Sequence, residues 1–160
     1  MDARIKDVGE PETRLLFDMA IDLAEPLDFG AGPIGRRVLY RGVGGTFEGP
    51  KLSGEVVQGG GDWAVFRADG CMQLDVRLIL RTDDGDLIHV TYGGRWVVPE
   101  EARSEVADTR HLVEPSRYYF RTTPLFETGS RNYAWLNGIV AIGSGYLIEN
   151  GVAYRVSEVL

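Results

Sequence analysis

The chain has 160 residues, 44% of them hydrophobic, and its 17 basic and 24 acidic side chains give a formal net charge of −7. That balance argues against general nucleic-acid binding, which needs a basic face to neutralise phosphates. No apolar run approaches the roughly 20 residues that span a bilayer, and the polar N-terminus has no signal-peptide core, so we expect a cytoplasmic protein without nucleic-acid or membrane partners.

Glycine is the residue whose number is most unusual. The chain has 21 glycines, against roughly 11 expected at an average usage of about 7%. Because an interior glycine costs a helix about 1 kcal/mol relative to alanine, this composition predicts a turn-rich, β-dominated protein. Cys71 is the only cysteine, which excludes an intrachain disulfide.

The first part of the chain is predicted to be a flexible lead-in over residues 1–13, and residues 14–160 are predicted to form one domain. Residues 16–23 (LFDMAIDL) alternate apolar and polar side chains, which is typical of a half-buried strand, although one helical face also fits. We favour the strand because Pro26 would end a helix early.

Short strands separated by glycines are predicted next. They cover residues 38–40, 45–47, 52–57 and 63–66, and the run Gly59-Gly60-Gly61-Asp62 is interpreted as the turn between the last two. The glycine-rich stretches of this region therefore read as corners between strands.

The clearest hairpin joins residues 72–81 to residues 87–92 through the turn Thr82-Asp83-Asp84-Gly85. Side chains alternate along its first arm, so that one face is aliphatic and the other largely charged. The aliphatic face consists of Leu74, Val76, Leu78 and Leu80, and the other face consists of Asp75, Arg77, Ile79 and Arg81.

One short helix is predicted near residues 99–112, because Pro99 suits a first helical position and Glu100 and Glu101 suit the positive end of the helix dipole. Further strands are predicted after it, at 118–123, 133–142, 146–148 and 152–156, and the last two are predicted to pair as a terminal hairpin around Asn150-Gly151. A sheet of this size must close or split to hide its edges. We therefore predict an all-β fold, a single antiparallel β-barrel of about 9–10 strands with one short helix.

Three segments resemble a known family. They are GGTFEGPKLSGEVVQGGGDW (44–63), LDVRLILRTDDGDLIHVTYGG (74–94) and YYFRTTPLFETGSRNYAWLN (118–137), which together resemble domain-of-unknown-function family 3237 of bacteria and fungi. The resemblance implies a single-domain antiparallel β-barrel with a short helix. It also implies small-molecule chemistry on phenolic or polyketide-like compounds, with which a few members are associated.

Several motifs that suggest other chemistries are set aside. The sequence GAGPIG at 30–35 matches a dinucleotide fingerprint, but Pro33 interrupts it and no helix is predicted to follow, so a glycine-rich loop is expected. His89 and His111 lack metal-ligand spacing and are interpreted as structural. Cys71 has no evident base, and no GxSxG elbow is present. The sequence thus predicts no metal and no cofactor.

The polar faces of the predicted strands carry the candidate functional residues. In a barrel, the charged face of the 72–81 strand points either to water or into a lumen, and both alternatives stay open. Two further segments repeat the pattern of arginine and large amphipathic side chains, as in Tyr119 with Arg121, and Tyr133 with Trp135. Such a set of side chains would suit a ligand cavity.

If the faces line a lumen, the sequence predicts a role for each residue. Catalytic roles fall to Asp75 or Glu127 as the base, Arg121 for stabilising an anion, and Tyr133 for returning a proton. Predicted substrate-binding residues are Arg77, Arg81, Trp63, Trp135 and Tyr119. The competing interpretation of Asp75 and Arg77 is a surface salt bridge between strands, worth about 0–1 kcal/mol.

Three functions remain open on the sequence alone. The first is a cofactor-independent enzyme of lyase, isomerase or cyclase type, moving protons on a small aromatic or enolisable substrate. The second is a noncatalytic barrel that binds small molecules. The third is an oligomeric assembly module, with a homodimer or higher homo-oligomer as the expected state.

Overall fold

Ten strands account for most of the chain that the computed structural model describes, which is residues 2–108 and 112–160. The strands of the first half are long and follow one another closely. They are β1 Thr13–Leu23, β2 Leu27–Gly32, β3 Gly35–Glu48, β4 Ser53–Phe66, β5 Cys71–Thr82 and β6 Leu87–Val97. Those of the second half are shorter, namely β7 Tyr119–Thr122, β8 Leu125–Glu127, β9 Ala141–Ile148 and β10 Gly151–Val159.

Eight of these strands close into an antiparallel barrel. The sequential pairs β3–β4, β4–β5 and β5–β6 continue through β7, β9 and β10 to β1, and β1 pairs in turn with β3. The remaining two strands lie off this circuit, since β2 pairs with the first part of β3 and β8 pairs with β6. The predicted antiparallel barrel is confirmed, and closure leaves its eight strands without a free edge.

Alternation along each strand divides the barrel into an inside and an outside. In β5 the side chains of Leu74, Val76, Leu78 and Leu80 are buried, whereas Asp75, Arg77 and Arg81 are exposed. Burying four aliphatic side chains is worth several kcal/mol, while burying the charged set would cost more than it returns. The hydrophobic pattern therefore fixes which face of the strand points inward.

The predicted strand at 16–23 and the two predicted hairpins are all present. Residues 16–23 lie within β1, the hairpin at 72–92 is formed by β5 and β6, and the terminal hairpin is formed by β9 and β10. Asn150 adopts a left-handed conformation at the terminal turn, with φ of 53°, which asparagine tolerates better than most residues.

The glycine-rich motif at 30–35 forms a hairpin connection. β2 ends at Gly32, the turn covers 33–34, and β3 begins at Gly35, so no helix follows the glycines. Gly35 has φ of 129°, and a Cβ at this position would collide with the carbonyl oxygen of Phe66 on β4. Glycine is thus required here by close strand packing. The expectation that no helix follows the motif is confirmed, but the predicted loop is wrong except for the turn at 33–34, because residues 30–32 and Gly35 belong to strands.

The interpretation of the glycine runs as corners is wrong in two places. β3 and β4 are each a single 14-residue strand, and the run 59–62 lies inside β4. The register of β4 against β5 shifts between Val57 and Gly61. A Cβ on Gly61 would approach the carbonyl oxygen of Tyr40 to 2.6 Å. These glycines permit a bulge and a close approach of neighbouring strands, where the sequence suggested a turn.

The predicted strand at 133–142 is also wrong. Ala134–Gly138 form a 3₁₀ helix, and β9 begins only at Ala141. The amide of Leu136 donates to the carbonyl oxygen of Tyr133 at 2.9 Å, and the Leu136 side chain is fully buried. The buried Leu136 side chain anchors a short 3₁₀ turn to the core. The alternation of side chains along 133–142 therefore did not correspond to a strand.

The predicted helix is shorter than expected. A 3₁₀ turn at Glu100–Ala102 leads into α1, Arg103–Ala107. Residues 109–111, including the histidine at 111 interpreted above as structural, lie outside the described residues.

Candidate functional site

One half of the barrel interior holds a cavity of about 240 Å³. Most of its wall is apolar and comes from strands on all sides of the barrel. The aliphatic part of the wall consists of Ile21, Leu23, Val76, Leu78, Leu147 and Val152, with Met72 beside them. Gly42 and Gly61 contribute backbone to the wall, and at Gly42 a Cβ would face Ile21 and Leu78 of the cavity lining.

Asp62 is the only carboxylate among the described residues that line this cavity. It lies on β4 directly after the bulged glycines and is partly buried. Its Oδ1 accepts a hydrogen bond of 2.9 Å from the backbone N–H of Asp75 on β5. Burial raises the pKa of the Asp62 carboxyl from 3.8 to about 7, more than that hydrogen bond lowers it, and the negative charge of Asp75 adds to the rise.

A carboxyl group with a pKa near 7 is suited to moving protons. Close to neutrality both of its forms are populated, so it can accept a proton from one atom and deliver it to another. Among the described groups lining the cavity, Asp62 has this property through desolvation by an apolar wall, which is a common origin of a raised carboxyl pKa at functional sites.

Three tyrosines share the cavity with this carboxyl group. Tyr92 and Tyr154 are almost fully buried, with their rings edge to face at 5.6 Å, and their side chains are hydrogen-bonded to each other. Burial raises the pKa of both hydroxyls and that of Tyr40, and the charge of Asp62 raises each of them further. All three hydroxyls therefore stay protonated at neutral pH, and because Tyr92 donates to Tyr154, the hydroxyl protons of Tyr40 and Tyr154 are the ones that can be donated to a ligand.

Aromatic rings complete one side of the cavity wall. Phe120 lies 5.8 Å from Trp96 and 5.5 Å from Tyr154 between ring centroids. A Cβ on Gly145 of β9 would come within 2.8 Å of the Phe120 ring, so this glycine makes room for the ring. The indole N–H of Trp96 is buried and has no acceptor in the described part of the chain. The rings form a rigid surface suited to flat, apolar ligands.

The structure places the predicted site residues of β5 on the outside of the barrel. Asp75 and Arg77 form an exposed ion pair of 3.2 Å along one strand, and Arg81 pairs with Glu55 of β4 at 2.5 Å. The alternative in which this face lines a lumen is wrong, because the aliphatic face of β5 occupies the interior. Asp75 reaches the cavity only through its backbone N–H.

The predicted residues of β7 point outward as well. Tyr119 is 54% exposed, and the guanidinium of Arg121 lies 5.3 Å from the centroid of its ring. Arg121 donates a hydrogen bond to the carbonyl oxygen of Phe120 at 2.9 Å. The inward residues of this strand are Phe120 and Thr122, so Arg121 does not meet the cavity.

The other predicted site residues are dispersed. Trp63 lies in an outer groove that also contains Arg37 and Asp75. Trp135 lies on the 3₁₀ helix, with the ammonium of Lys51 5.0 Å from its ring centroid.

Tyr133 and Glu127 also lie away from the cavity lining. Tyr133 is buried and donates to Asp84 at 2.7 Å, a bond that raises the pKa of its hydroxyl. Glu127 is exposed opposite His89 on the neighbouring strand. The structure does not bring the predicted set of catalytic and binding residues together.

Sequence reasoning missed the residues that do share the cavity. Asp62 was placed in a turn, where a carboxylate needs no further explanation. Had the strand been extended back through the glycines, Asp62 would have shared a face with Ala64, which is fully buried. The two-residue spacing of Asp62 and Ala64 could therefore have predicted an inward carboxyl group, but the preceding glycines favoured a turn at this place.

The comparisons with known proteins agree with the barrel. A family model described as a protein of unknown function, DUF3237, matches residues 11–159. The chain belongs to the DUF3237 family. A UPF0311 protein of Clostridium acetobutylicum is 35% identical over 157 residues, which is 96% of this chain and 99% of that protein.

Solved structures place this DUF3237 protein among similar barrels. A conserved protein of unknown function from Rhodopseudomonas palustris matches with a TM-score of 0.88 and 29% identity, covering 96% of this chain and all of that one. A β-barrel-like protein from Acinetobacter baumannii matches with a TM-score of 0.81 and 34% identity, covering 96% of this chain and all of that one. An enzyme from Penicillium herquei matches with a TM-score of 0.71 and 22% identity, covering 97% of this chain and 98% of that one. At this identity the likeness is one of fold.

Within residues 2–108 and 112–160, every helix is too short or too polar to cross a bilayer.

Proposed function

We propose that this DUF3237 protein is an enzyme of lyase, isomerase or cyclase type that works by acid–base chemistry on a small aromatic or enolisable substrate in the barrel cavity. The observation that carries the proposal is Asp62, a carboxyl group with a pKa of about 7 at the wall of an otherwise apolar, aromatic cavity. In this proposal, side chains of the protein supply both the acid and the base.

The chemistry proposed for the site is a proton transfer that balances without a further reactant. Ionised Asp62 removes a proton from a carbon next to a carbonyl group; the electron pair of the broken C–H bond forms a C=C bond, and the π pair of the carbonyl group moves to its oxygen. The hydroxyl of Tyr154, which accepts a hydrogen bond from Tyr92 and keeps its own proton, donates a hydrogen bond to the enolate oxygen that develops. After its proton has exchanged with solvent, Asp62 returns a proton to the same carbon, which gives exchange, or to another carbon of the enolate system, which gives isomerisation. For ring closure, the enolate attacks an electrophilic carbon of the same molecule, and Asp62 protonates the oxygen that becomes negatively charged.

Relatives support a weaker statement. The neighbour from Penicillium herquei is described as an enzyme, and its likeness to this chain is one of fold. That likeness supports the compatibility of this type of barrel with catalysis. The residues and the reaction proposed here rest on the cavity of this chain.

The test uses 1-tetralone, a bicyclic aromatic ketone with exchangeable hydrogens, in deuterated buffer. We expect the protein to accelerate deuterium uptake next to the carbonyl group, and Asp62→Asn to reduce that acceleration by about 10²–10⁴-fold, the usual contribution of a general base. Mass spectrometry of the ketone measures the rate.

Asp75→Asn is the discriminating variant in this experiment, because Asp75 is the base that the sequence suggested and its side chain lies outside the barrel. Loss of exchange in Asp62→Asn with retention in Asp75→Asn supports the proposal. Equal rates in the wild type and Asp62→Asn, or loss only in Asp75→Asn, contradict it. In the wild type the exchange rate should rise with pH and level off above about 7, as Asp62 becomes ionised.

A noncatalytic barrel that binds small molecules is the second candidate, and the apolar character of the cavity wall favours it. It predicts saturable binding of aromatic ligands with no deuterium uptake and no new product. The homo-oligomer suggested by the sequence stays a prediction, which light scattering over a range of protein concentrations would check.

A further inference from the structure

We propose that Arg95 and Arg121 form a second binding site, on the outer surface of the barrel, for the dianionic phosphate group of a small polar molecule. The site is separate from the cavity assigned under the proposed function, because both side chains are exposed on the outer face of their strands. A phosphate group would give the two arginines a ligand of matching charge, which the rest of the described chain does not supply.

The register of the sheet places the two arginines directly opposite each other. Arg95 of β6 pairs with Arg121 of β7, and the next residues of this row are Gln73 on one side and Ser144 on the other. Side chains that face each other in this way have Cβ atoms roughly 4.5–5.5 Å apart, and like charges so placed destabilise a sheet. Two positive charges thus stand side by side between neutral neighbours, in a chain whose net charge is −7.

Neither guanidinium has a carboxylate partner within the described residues. Asp75 is the diagonal neighbour of Arg95 across β5 and β6, but its carboxylate pairs with Arg77 at 3.2 Å. Each of the two opposed arginines instead donates a hydrogen bond to the carbonyl oxygen of the residue before it, at 2.8 Å for Arg95 and 2.9 Å for Arg121. A guanidinium carries several further N–H donors, so both arginines keep hydrogen-bonding capacity for a ligand.

These hydrogen bonds direct the two arginines to opposite sides of their row. Because the strands are antiparallel, Gly94 and Phe120, which supply the two carbonyl oxygens, lie on opposite sides of the pair. Like charges turn apart in this way when no anion lies between them. The Arg121 guanidinium also lies 5.3 Å from the centroid of the Tyr119 ring, a cation–π contact that supports it. An anion between the two arginines would replace their repulsion by attraction.

Two arginines side by side match the charge and the shape of a phosphate group. A phosphate monoester carries about two negative charges above neutral pH and offers several acceptor oxygens. The planar guanidinium binds such oxygens through parallel hydrogen bonds. A carboxylate carries a single negative charge and would leave part of the positive charge unmatched. We therefore expect carboxylates to bind this site more weakly than phosphates.

A hollow beside Arg95 provides room for the rest of the ligand. Gly93 precedes Arg95 by two residues on the same face of β6, and it lies in the lining of an outer hollow of about 260 Å³. Thr91 and Thr123 line the same hollow. Their hydroxyl groups can both donate and accept hydrogen bonds, which suits a polar molecule. The surroundings of the two arginines thus favour a small polar molecule that carries a phosphate group.

NMR titration of the ¹⁵N-labelled protein at pH 8 and constant ionic strength tests the site with three probes. The probes are inorganic phosphate, glycerol 3-phosphate and acetate. We expect the backbone amide signals of Gly94, Arg95 and Arg121 to shift saturably with both phosphates, and acetate to bind weaker by roughly tenfold or more. Glycerol 3-phosphate should bind at least as tightly as inorganic phosphate, because the hollow accepts the rest of the molecule.

Arg95→Gln and Arg121→Gln should each weaken the binding of both phosphates by roughly tenfold, through the loss of a hydrogen bond between charged groups. The matched control is Arg81→Gln, which removes an outer arginine that already pairs with Glu55 and should leave phosphate binding unchanged.

Urea unfolding gives a second measurement on the same variants. Without phosphate, the midpoints of Arg95→Gln and Arg121→Gln should equal or exceed that of the wild type, because the repulsion between the arginines is relieved. Added phosphate should raise the midpoint of the wild type more than that of either variant, because a ligand stabilises the folded state to which it binds.

Several results would overturn the site. They are no saturable shift with either phosphate, acetate binding as tight as that of phosphate, and an equal loss of binding in Arg81→Gln, which would indicate general attraction to the protein surface. Lower urea midpoints of both glutamine variants without phosphate would give the arginines a structural role instead. Binding of the ester tenfold weaker than that of inorganic phosphate would exclude a phosphorylated molecule as the ligand. The site lies outside the cavity, so these results are independent of deuterium uptake by 1-tetralone.

Discussion

The two halves of the barrel interior are built by the same strands but filled differently. In one half, Phe17 contacts Phe47 and Phe126 edge to face at 5.5 and 6.0 Å, so that aromatic rings occupy the interior. In the other half, Gly42 faces the interior beside Ile21 and Leu78 without a side chain of its own, and the cavity remains. Alternation of apolar residues therefore produces a closed barrel in either case. The side chain missing at Gly42 contributes to the hollow half.

The largest expected effect tests that difference with two leucines on one strand. Leu80 is fully buried in the packed half, whereas Leu78 borders the cavity. We expect Leu80→Ala to lower the free energy of unfolding by about 4 kcal/mol, and Leu78→Ala by about 2 kcal/mol, since Leu78 already lacks contacts on one side. Urea unfolding measures both, and equal losses would show that the two halves are equally well packed.

The second effect concerns the carboxyl group that the cavity desolvates. The pKa of Asp62 is about 7 in the folded protein and near 3.8 when unfolded, so the folded state holds the proton more firmly. This stabilisation is complete below about pH 4 and is lost as the pH rises through 7. One pKa unit is worth about 1.4 kcal/mol, and partial solvent access reduces the full difference to about 2 kcal/mol.

Asp62→Asn removes this titration while keeping an oxygen that can accept from the Asp75 amide. We therefore expect the variant to be more stable than the wild type at pH 8 by about 2 kcal/mol, with the advantage absent at pH 4. Urea unfolding at the two pH values measures it. A variant that is destabilised at pH 8 would show that Asp62 has a purely structural role.

A smaller gain is expected at Thr122, the inward residue that follows Phe120 on β7. Its hydroxyl oxygen is buried and has no hydrogen-bond partner within the described residues. Thr122→Val replaces that hydroxyl by a methyl group of similar shape and should raise the free energy of unfolding by about 1 kcal/mol. A loss of stability in thermal or urea unfolding would mean that the hydroxyl is satisfied in solution, for instance by a buried water.

The smallest effect is expected on the outside of the barrel. Arg81 and Glu55 form an ion pair between two strands, and both side chains are about half exposed. Arg81→Gln should change the free energy of unfolding by less than about 1 kcal/mol, and less still at high salt. It should leave deuterium uptake by 1-tetralone unchanged in mass spectrometry. Loss of that uptake would make the outer charged face a candidate active site again.

The fold could be read largely from the sequence because its signals are local. The alternation in β1 and β5 and the turns before β6 and β10 predicted strands that the structure contains. The error at 133–142 has a tertiary cause. Leu136 is buried as the anchor of a 3₁₀ turn, and a sequence does not show which single apolar residue will be captured by a distant core.

The site was harder to predict, for a reason that Asp62 illustrates. The residues chosen from the sequence, such as Asp75 and Arg121, were conspicuous because charged side chains stood beside aliphatic ones. Charged side chains alternate with aliphatic ones in this way because they lie on the face of the strand that is exposed to water. The carboxyl group at the cavity wall follows three glycines, where local pattern favours a turn, and only the pairing of β4 with β3 and β5 turns it inward.

The sequence by itself determined the antiparallel barrel and the parity of its clearest strands, because hydrophobic alternation and turn chemistry act over a few residues. The tertiary structure alone decided the position of the cavity and the surroundings of Asp62. The pKa of Asp62 depends on desolvation by burial in a wall whose other residues, such as Tyr92 and Tyr154, are distant along the chain. Desolvation arises only when the strands close, so no local stretch of sequence carries it.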